Sequence, residues 1–385
     1  MALPIEKYED QFLAPYALKH SLSGGRFFPE VEDSYRTNIQ RDRDRIIHSK
    51  AFRRLGYKTQ VFVNTKGDSY RTRLTHSLEV SQLSRSIANV LKLNKDLSEA
   101  IALAHDIGHS PFGHAGQEIL DQLMNGSGGF EHNKQILRIV TLLEERYPNF
   151  TGLNLTRATL KALIKHNQVY EDDVHLHELF NEKKNQFPCL ESVLVDQCDR
   201  IAYIHHDIED GMDSNYLDLD ALFDLEYWNK IKNTLEKQWK HQFKNARASH
   251  KIKMILRYSL NLFVTDFIEN SKKNLEKLQL NSIEEVYKLD VHSNPLKNSN
   301  EFIEIMNETY KFLKENLYHH PEVRVMSYRG QRIIQYLFYL YVSHPEFLPS
   351  HIQKNIPKYK LERTVCDYIS GMTDRYAISL YEKFK

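Results

Sequence analysis

The sequence predicts an all-α protein, and three observations carry that expectation. Apolar residues recur at spacings near 3.6 through most of the chain. Only 14 Gly and 11 Pro are spread over 385 residues, too few for the tight turns of a hairpin-built fold. Apolar residues make up 41% and charged residues 27%, a globular balance with enough apolar side chain for a sizeable core. Length alone allows two or three domains or one large helical one.

Taken in order, residues 1–40 are expected to be irregular, with turn signals around Gly24, Gly25 and Pro29. Helical patterning starts near Arg41, where Ile46, Ile47, Ala51, Phe52 and Leu55 fall on one face and arginines on the other. In residues 75–93, Leu78, Val80, Leu83, Ile87, Val90 and Leu91 form an apolar stripe, with Thr75 placed to cap the helix. Residues 97–109 are apolar nearly all round, the mark of a buried helix, and should end near Gly108 ahead of Pro111 and Gly113. Further helices are expected over 114–124, 131–147, 155–166 and from about Glu191 to Asp210, with a glycine-rich break at 125–130. Beyond about residue 215 the chain turns lysine-rich and amphipathic through about 290. The simplest reading is exposed helices with solvated lysines around a second packing layer. Two more helical segments close the chain. The expected organisation is an irregular 1–40, a catalytic helical core over 41–215, and helical additions over 216–385 that complete the site and supply oligomer contacts.

Lys and Arg number 52 against 51 Asp and Glu, a net charge of +1, which excludes a surface built as a whole to coat nucleic acid or an anionic membrane. Cys189, Cys198 and Cys366 are odd in number and widely spaced, which points to a reducing compartment without disulfides or a cysteine zinc site. The first twenty residues lack an apolar signal core, and no run approaches a transmembrane length. A cytoplasmic protein is expected.

The outlying count is 19 His. Histidine is the commonest imidazole metal ligand and the usual proton carrier near neutrality. His105-Asp106 interrupts an otherwise apolar segment, where an ionisable pair is costly unless a cation or strong hydrogen bonds match it. With His76 and Asp199 it makes a mixed nitrogen and oxygen set suited to Mn²⁺, Mg²⁺, Fe²⁺ or Co²⁺. Asp196 rivals Asp199, because both fit one helix face. A second group gathers His109, His114 and His132 with Arg73, preceded by Arg53, Arg54 and Arg71 and followed by Lys165-His166. Imidazoles and guanidiniums beside a divalent metal neutralise a polyphosphate and donate protons to its leaving group. Surface charge accounts for about half of these arginines. A third group, Asp199, Tyr203 and Asp207, is spaced i, i+4, i+8 along one helix wall, where a ring and a carboxylate suit a sugar.

The ordered series RDRDRIIHSKAFRRLGYKTQVF, RTRLTHSLEVSQLSRSIA, EAIALAHDIGHSPFGHAG, GFEHNKQILRIV, GLNLT, DRIAYIHHDIEDG and DYISGMTDRYA resembles the deoxyguanosinetriphosphate triphosphohydrolase family, a branch of the HD-domain metal phosphohydrolases. The resemblance runs from about residue 35 to the C-terminus. It implies a helical homo-oligomer, an HD-domain core over 41–215, and metal-dependent cleavage of dGTP or other dNTPs to a deoxynucleoside and inorganic triphosphate. By the same resemblance His76, His105, Asp106 and Asp199 are the metal ligands, which favours Asp199 over Asp196. Gln60, Tyr203 and Asp207 would contact the sugar, and Arg73 the phosphates. His109, His114 and His132 would surround the α-phosphate and leaving group, with Arg200 and Arg375 as further phosphate contacts. One departure stands out: many relatives carry an acidic residue three positions after the equivalent of His114, able to orient that imidazole, and here it is Gln117 followed by Glu118. That departure keeps two rival readings in view: a weakened regulator that binds dNTPs, or single-stranded DNA through residues 226–285, and an HD-type nucleotidase or phosphodiesterase. Base preference and activation by a second dNTP stay open at this stage.

Overall fold

A computed structural model describes residues 4–60, 71–164, 186–290 and 292–385. Lys165 and His166 lie outside the described residues. Among the described residues the regular structure is helical, with only isolated β-bridges, so the all-α expectation holds. None of the described helices is long and apolar enough to cross a membrane.

The centre of the fold is the Lys95–Ala104 helix, whose Leu97, Ala100, Ile101, Ala102, Leu103 and Ala104 are all buried. It packs against the Asn38–Ile47, Arg73–Leu91 and Leu190–Asp213 helices, which explains why its second half, Ala100 to Ala104, is apolar all round, while Asp96 and Glu99 in its first half pair with Arg85. Asn94 starts it by accepting from the backbone N–H groups of Asp96 and Leu97. It ends at Ala104, four residues before Gly108. Tight turns take over there, with Ile107 N–H bonded to Ala104 O and His109 N–H to Asp106 O. His105 and Asp106 therefore leave from the carbonyl end of a helix, whose partial negative charge favours a cation.

Three local expectations change. The cap of the Arg73–Leu91 helix is Thr72, which closes a reciprocal capping box with Thr75 three residues on. Residues 4–10 form a helix inside the segment expected to be irregular. The Asp10 carboxylate at its end accepts from the backbone N–H groups of His20 (2.6 Å) and Ser21 (3.1 Å), tying it to the next turn. The 131–147 helix is shorter than its apolar pattern, running from His132 to Arg138 and loosening into a π-turn over Ile139–Leu143.

The C-terminal part divides between two cores. Glu226–Asn245 and Ala248–Leu278 turn Trp228, Ile231, Phe263 and Phe267 into the first core, leaving their lysines outward as expected. Pro321–Ser343 and Leu361–Ser370 build a second core with Phe112, Leu120, Met124 and Phe130. The second core thus grips the His109–Leu123 stretch from the outside.

Candidate metal and phosphate site

His76 lies in the first turn of the Arg73–Leu91 helix, His105 and Asp106 at the end of Lys95–Ala104, and Asp199 mid-way along Leu190–Asp213. Ligand atoms of His76, His105 and Asp199 all fall within 4.8 Å of one another. His76 Nε2 is 2.8 Å from Asp199 Oδ1, and His105 Nε2 is 3.6 Å from the same oxygen. Asp106 Oδ1 is 3.6 Å from His105 Nε2 and accepts from Arg73 Nη1 at 3.0 Å, while its Oδ2 is buried without a hydrogen-bond partner. His105 Nε2 is likewise buried and unpartnered. Buried polar atoms left open are rare and ask for a ligand. Two imidazoles and the Asp199 carboxylate converge on one point and fit a divalent cation of intermediate hardness, while Asp106 falls outside that group and reaches it through His105 and Arg73. Asp199, and not Asp196, belongs to this group among the described residues.

Electrostatics match the geometry. Burial opposes charge on His105, but Asp106 and Asp199 outweigh it and lift the imidazole to about 9. Burial would raise Asp199, yet the adjoining imidazoles of His105 and His76 hold it well below the usual carboxylate range. The site draws in positive charge.

Beside it His109, His114 and His132, expected around the phosphates, gather. Gly108 makes this possible: a Cβ there would sit 2.1 Å from the carbonyl oxygen of His132. The His109 and His132 rings consequently lie 4.1 Å apart, tilted by 31°, and His114 lies 6.1 Å from His109 edge-on and exposed. Burial, then Arg73 and the neighbouring imidazoles, push His109 well below its usual pKa. Burial also lowers His132 to about 4, against the pull of Glu131 and Asp106. Both rings are biased toward the uncharged form. Gln117 does not orient His114 as the sequence implied. Its Oε1 accepts from His132, at Nδ1 (2.8 Å) and at the backbone N–H (3.2 Å), because the 113–123 helix turns that side chain toward the start of the next one. Glu118 faces outward and accepts from Gln331 at 3.3 Å.

Tyr203 and Asp207, expected to face a sugar, share a partner that the sequence did not single out, Tyr318. Asp207 is buried, and Tyr318 donates to its Oδ2 while its Oδ1 has no partner. Tyr203 and Tyr318 share a hydroxyl bond and stack at 6.4 Å. Burial drives the Asp207 carboxyl up to about 8 despite the bond from Tyr318. Gln60 adds a buried, unpartnered side-chain oxygen.

Other candidates go elsewhere. Arg200 and Arg375 are exposed. Arg53 and Arg54 donate to the backbone carbonyls of His48 (3.0 Å) and Gly371 (2.8 Å), and Arg71 pairs with Glu209 at 2.9 Å. Of these four neighbouring arginines, Arg73 is the one buried in the site. Sequence reasoning passed over Lys58 and Asp374. Buried Lys58 donates to the carbonyls of His109 and Ser370. Buried Asp374 accepts from Thr59 and from Phe112 N–H (3.0 Å), pinning both loops that flank the histidines. The adjacency of Asp374 to Arg375 in the MTDRYA stretch was the available signal.

Residues 73–204 match the HD domain family, and residues 296–383, which hold Tyr318 and Asp374, match the phosphohydrolase-associated domain. A protein of Leptospira interrogans (strain Fiocruz L1-130), named deoxyguanosinetriphosphate triphosphohydrolase-like protein, is 46% identical over 375 residues, covering 97% of this chain and 96% of the relative. The chain belongs to this family. Family members with the same name include one from Geobacter metallireducens, 41% identical over 96% of this chain and 94% of its own length. Another, from Rickettsia canadensis, is 40% identical over 96% of this chain and 99% of its own length. The family makes the protein an HD-domain phosphohydrolase with a His/Asp site for a divalent metal.

Proposed function

We propose that the protein hydrolyses deoxynucleoside triphosphates, dGTP foremost, at the α-phosphorus, releasing a deoxynucleoside and inorganic triphosphate. One observation carries the reading. The Leu190–Asp213 helix presents a metal ligand, Asp199, and a sugar-facing pair, Tyr203 and Asp207, along one wall. A nucleotide laid along that wall puts its α-phosphate at the metal end and its deoxyribose against Tyr203, Tyr318 and the open Asp207 oxygen. The names of the relatives support the same substrate class.

His76, His105, Asp106 and Asp199 would hold the cation, Mn²⁺ or Mg²⁺ foremost, with Fe²⁺ and Co²⁺ as further candidates. When bound, it supplies Lewis-acid polarisation of a phosphate oxygen and acidifies water. Arg73 keeps Asp106 ionised and meets the phosphates. Uncharged His109 and His132 would offer N–H hydrogen bonds to the α-phosphate, and His114 at the exposed rim, as the imidazolium, would give the departing 5′-oxygen its proton. Gln60 and Asp207 fix the 3′-hydroxyl, and the Tyr203 ring closes the space at C2′. Arg200 and Arg375, exposed in the structure, and the Lys165-His166 pair, outside the described residues, are kept as further phosphate contacts.

Two further parts of the reading rest on separate features. A cavity of about 400 Å³ lies behind the site, sharing Lys58 and Ile107 as walls and lined by Arg54, Tyr368 and Tyr376. We assign this cavity to an effector dNTP. Exposed Val325, Tyr328 and Tyr339 on the Pro321–Ser343 helix suit contacts in an even-numbered homo-oligomer working in the cytoplasm. The test is to incubate the purified protein with each dNTP, singly and in pairs, with Mg²⁺ or Mn²⁺, and identify products. Triphosphate release, lost in His105→Ala and Asp106→Ala, is expected. Pyrophosphate or orthophosphate as the product overturns the reaction, and metal-independent retention of single-stranded DNA with no hydrolysis favours the regulator.

A further inference from the structure

We propose that His206 and Glu79 are positioning residues for His76, holding its ring in the tautomer that turns a bare Nε2 toward the cation. The inference rests on the metal-dependent reading above and concerns residues that lie behind the ligands, away from the substrate side.

His76 is 1% exposed, so its imidazole must satisfy both nitrogens from the protein or a ligand. On the site side Nε2 faces Asp199 at 2.8 Å. On the far side Nδ1 lies 3.1 Å from Nδ1 of His206, and the two rings stand nearly perpendicular at 85°. Two imidazole nitrogens at that distance share one proton, so one must donate and the other accept. Glu79 decides which. Its carboxylate bonds Nε2 of His206 and can only accept, so that nitrogen carries a proton. A neutral His206 then has an open lone pair at Nδ1. His76 donates to it from Nδ1–H, which leaves Nε2 of His76 free of hydrogen and aimed at the ligand cluster.

Glu79 is itself held. Arg71 Nε lies 3.3 Å from its Oε2, and the same guanidinium reaches Glu209 at 2.9 Å and Asp210 at 3.4 Å. Glu79 is three residues beyond His76 on one helix, whereas His206, Glu209 and Asp210 share the helix of Asp199. The network therefore ties together, from behind, the two helices whose side chains meet at the metal point. The other histidine ligand is oriented differently: His105 Nδ1 bonds the carbonyl oxygen of Ala102 at 2.5 Å, a backbone device. Outer partners of ligating imidazoles fix tautomer and orientation, and their loss typically costs about 10- to 100-fold in metal affinity. His76 alone of the pair depends on side chains for this, so its support is open to substitution.

The test titrates Mn²⁺ into the metal-stripped full-length protein by isothermal calorimetry. His206→Phe and Glu79→Ala are expected to weaken Mn²⁺ binding by about 10- to 100-fold, and His206→Gln, whose amide can accept from His76 and donate to Glu79, should stay within about threefold of wild type. His205→Gln is the control: His205 bonds Ile201 O and Ser259 Oγ, away from the ligands, and its replacement should leave Mn²⁺ affinity unchanged. Triphosphohydrolase activity of His206→Phe should return at saturating Mn²⁺. If His206→Phe folds by circular dichroism yet binds Mn²⁺ like wild type, the positioning role is wrong while the metal-dependent reading stands. A wild type that binds no divalent cation defeats that reading itself. Activity still missing at saturating Mn²⁺ also overturns the assignment, since a positioning residue acts through affinity.

Discussion

Replacing Glu191 by Gln is expected to stabilise the protein at alkaline pH and to make almost no difference at acid pH. Glu191 opens the helix that carries Asp199 and is 0% exposed. Its Oε1 accepts from Leu18 N–H (3.1 Å) and Asn94 N–H (3.0 Å), joining the N-terminal segment to the start of the central helix. Burial pushes its carboxyl from 4.5 up to about 7, although those backbone bonds pull the other way. A group whose folded pKa is raised gives its full contribution below the unfolded pKa and loses it as pH rises through the folded one. Across that interval, at about 1.36 kcal/mol per pH unit, the loss is about 3 kcal/mol. Gln preserves the acceptor oxygen and never ionises, so it escapes the loss. Unfolding entropy of about 2.1 cal/mol/K per residue makes 3 kcal/mol worth about 4 °C in a chain of this length. Melting curves of both proteins from pH 4 to 8.5 should show a difference that grows from near zero to about that value, most of it between 4.5 and 7. Every other titrating group is common to the two proteins and cancels. A difference that is flat with pH, or a variant that melts lower at pH 8.5, would refute the argument and show an ionised, paired carboxylate.

Three further expectations follow from particular contacts. Gln117→Glu places a carboxylate 2.8 Å from His132 Nδ1 and should raise that imidazole from about 4 by about 1 to 3 pH units; histidine proton resonances followed against pH test this, and an unmoved His132 refutes it. Asp374→Asn turns one acceptor oxygen into a donor facing either Thr59 or Phe112 N–H, so it should cost about 3 kcal/mol; an unchanged melting temperature would show that the two loops do not depend on this carboxylate. Gly330→Ala would put a Cβ 2.7 Å from Phe112 and should cost about 1 to 3 kcal/mol by overpacking the second core. Its near-ultraviolet circular dichroism should change with the displaced ring, and an unaltered spectrum and melting curve would show that the helix separation adapts freely.

Much of the site was legible because its chemistry is local. His105-Asp106 stood out in an apolar segment, and that anomaly is the signature of a buried polar pair awaiting a partner. The i, i+4, i+8 ladder of Asp199, Tyr203 and Asp207 followed from helix geometry and holds along a single unbroken helix. Residues that complete these groups from a distance gave no comparable sign. Tyr318 lies 111 residues from Asp207, in a π-turn that periodicity does not reveal. His206 sits beside His205 in sequence, but one bonds His76 and the other Ser259, a division fixed by which neighbouring helix each side of the Leu190–Asp213 helix meets. The arginines illustrate the reverse problem. Arg53, Arg54, Arg71 and Arg73 read alike, yet burial and the nearest carbonyl or carboxylate give each a different task.

The sequence by itself determined the helical class, the buried central helix, the outward lysines of residues 226–285 and the ligand types available. Hydrophobic period and residue chemistry are local properties, and they survive whatever the helices later pack against. Tertiary structure alone decided the partners of those residues. It gave Gln117 to His132 instead of His114, ended the central helix at Ala104, and brought Asp374 across 315 residues to hold Thr59. The reason is physical: a hydrogen bond or ion pair depends on distances of about 3 Å between atoms. Those distances are set by how two cores close around the His109–Leu123 stretch, which no local pattern encodes.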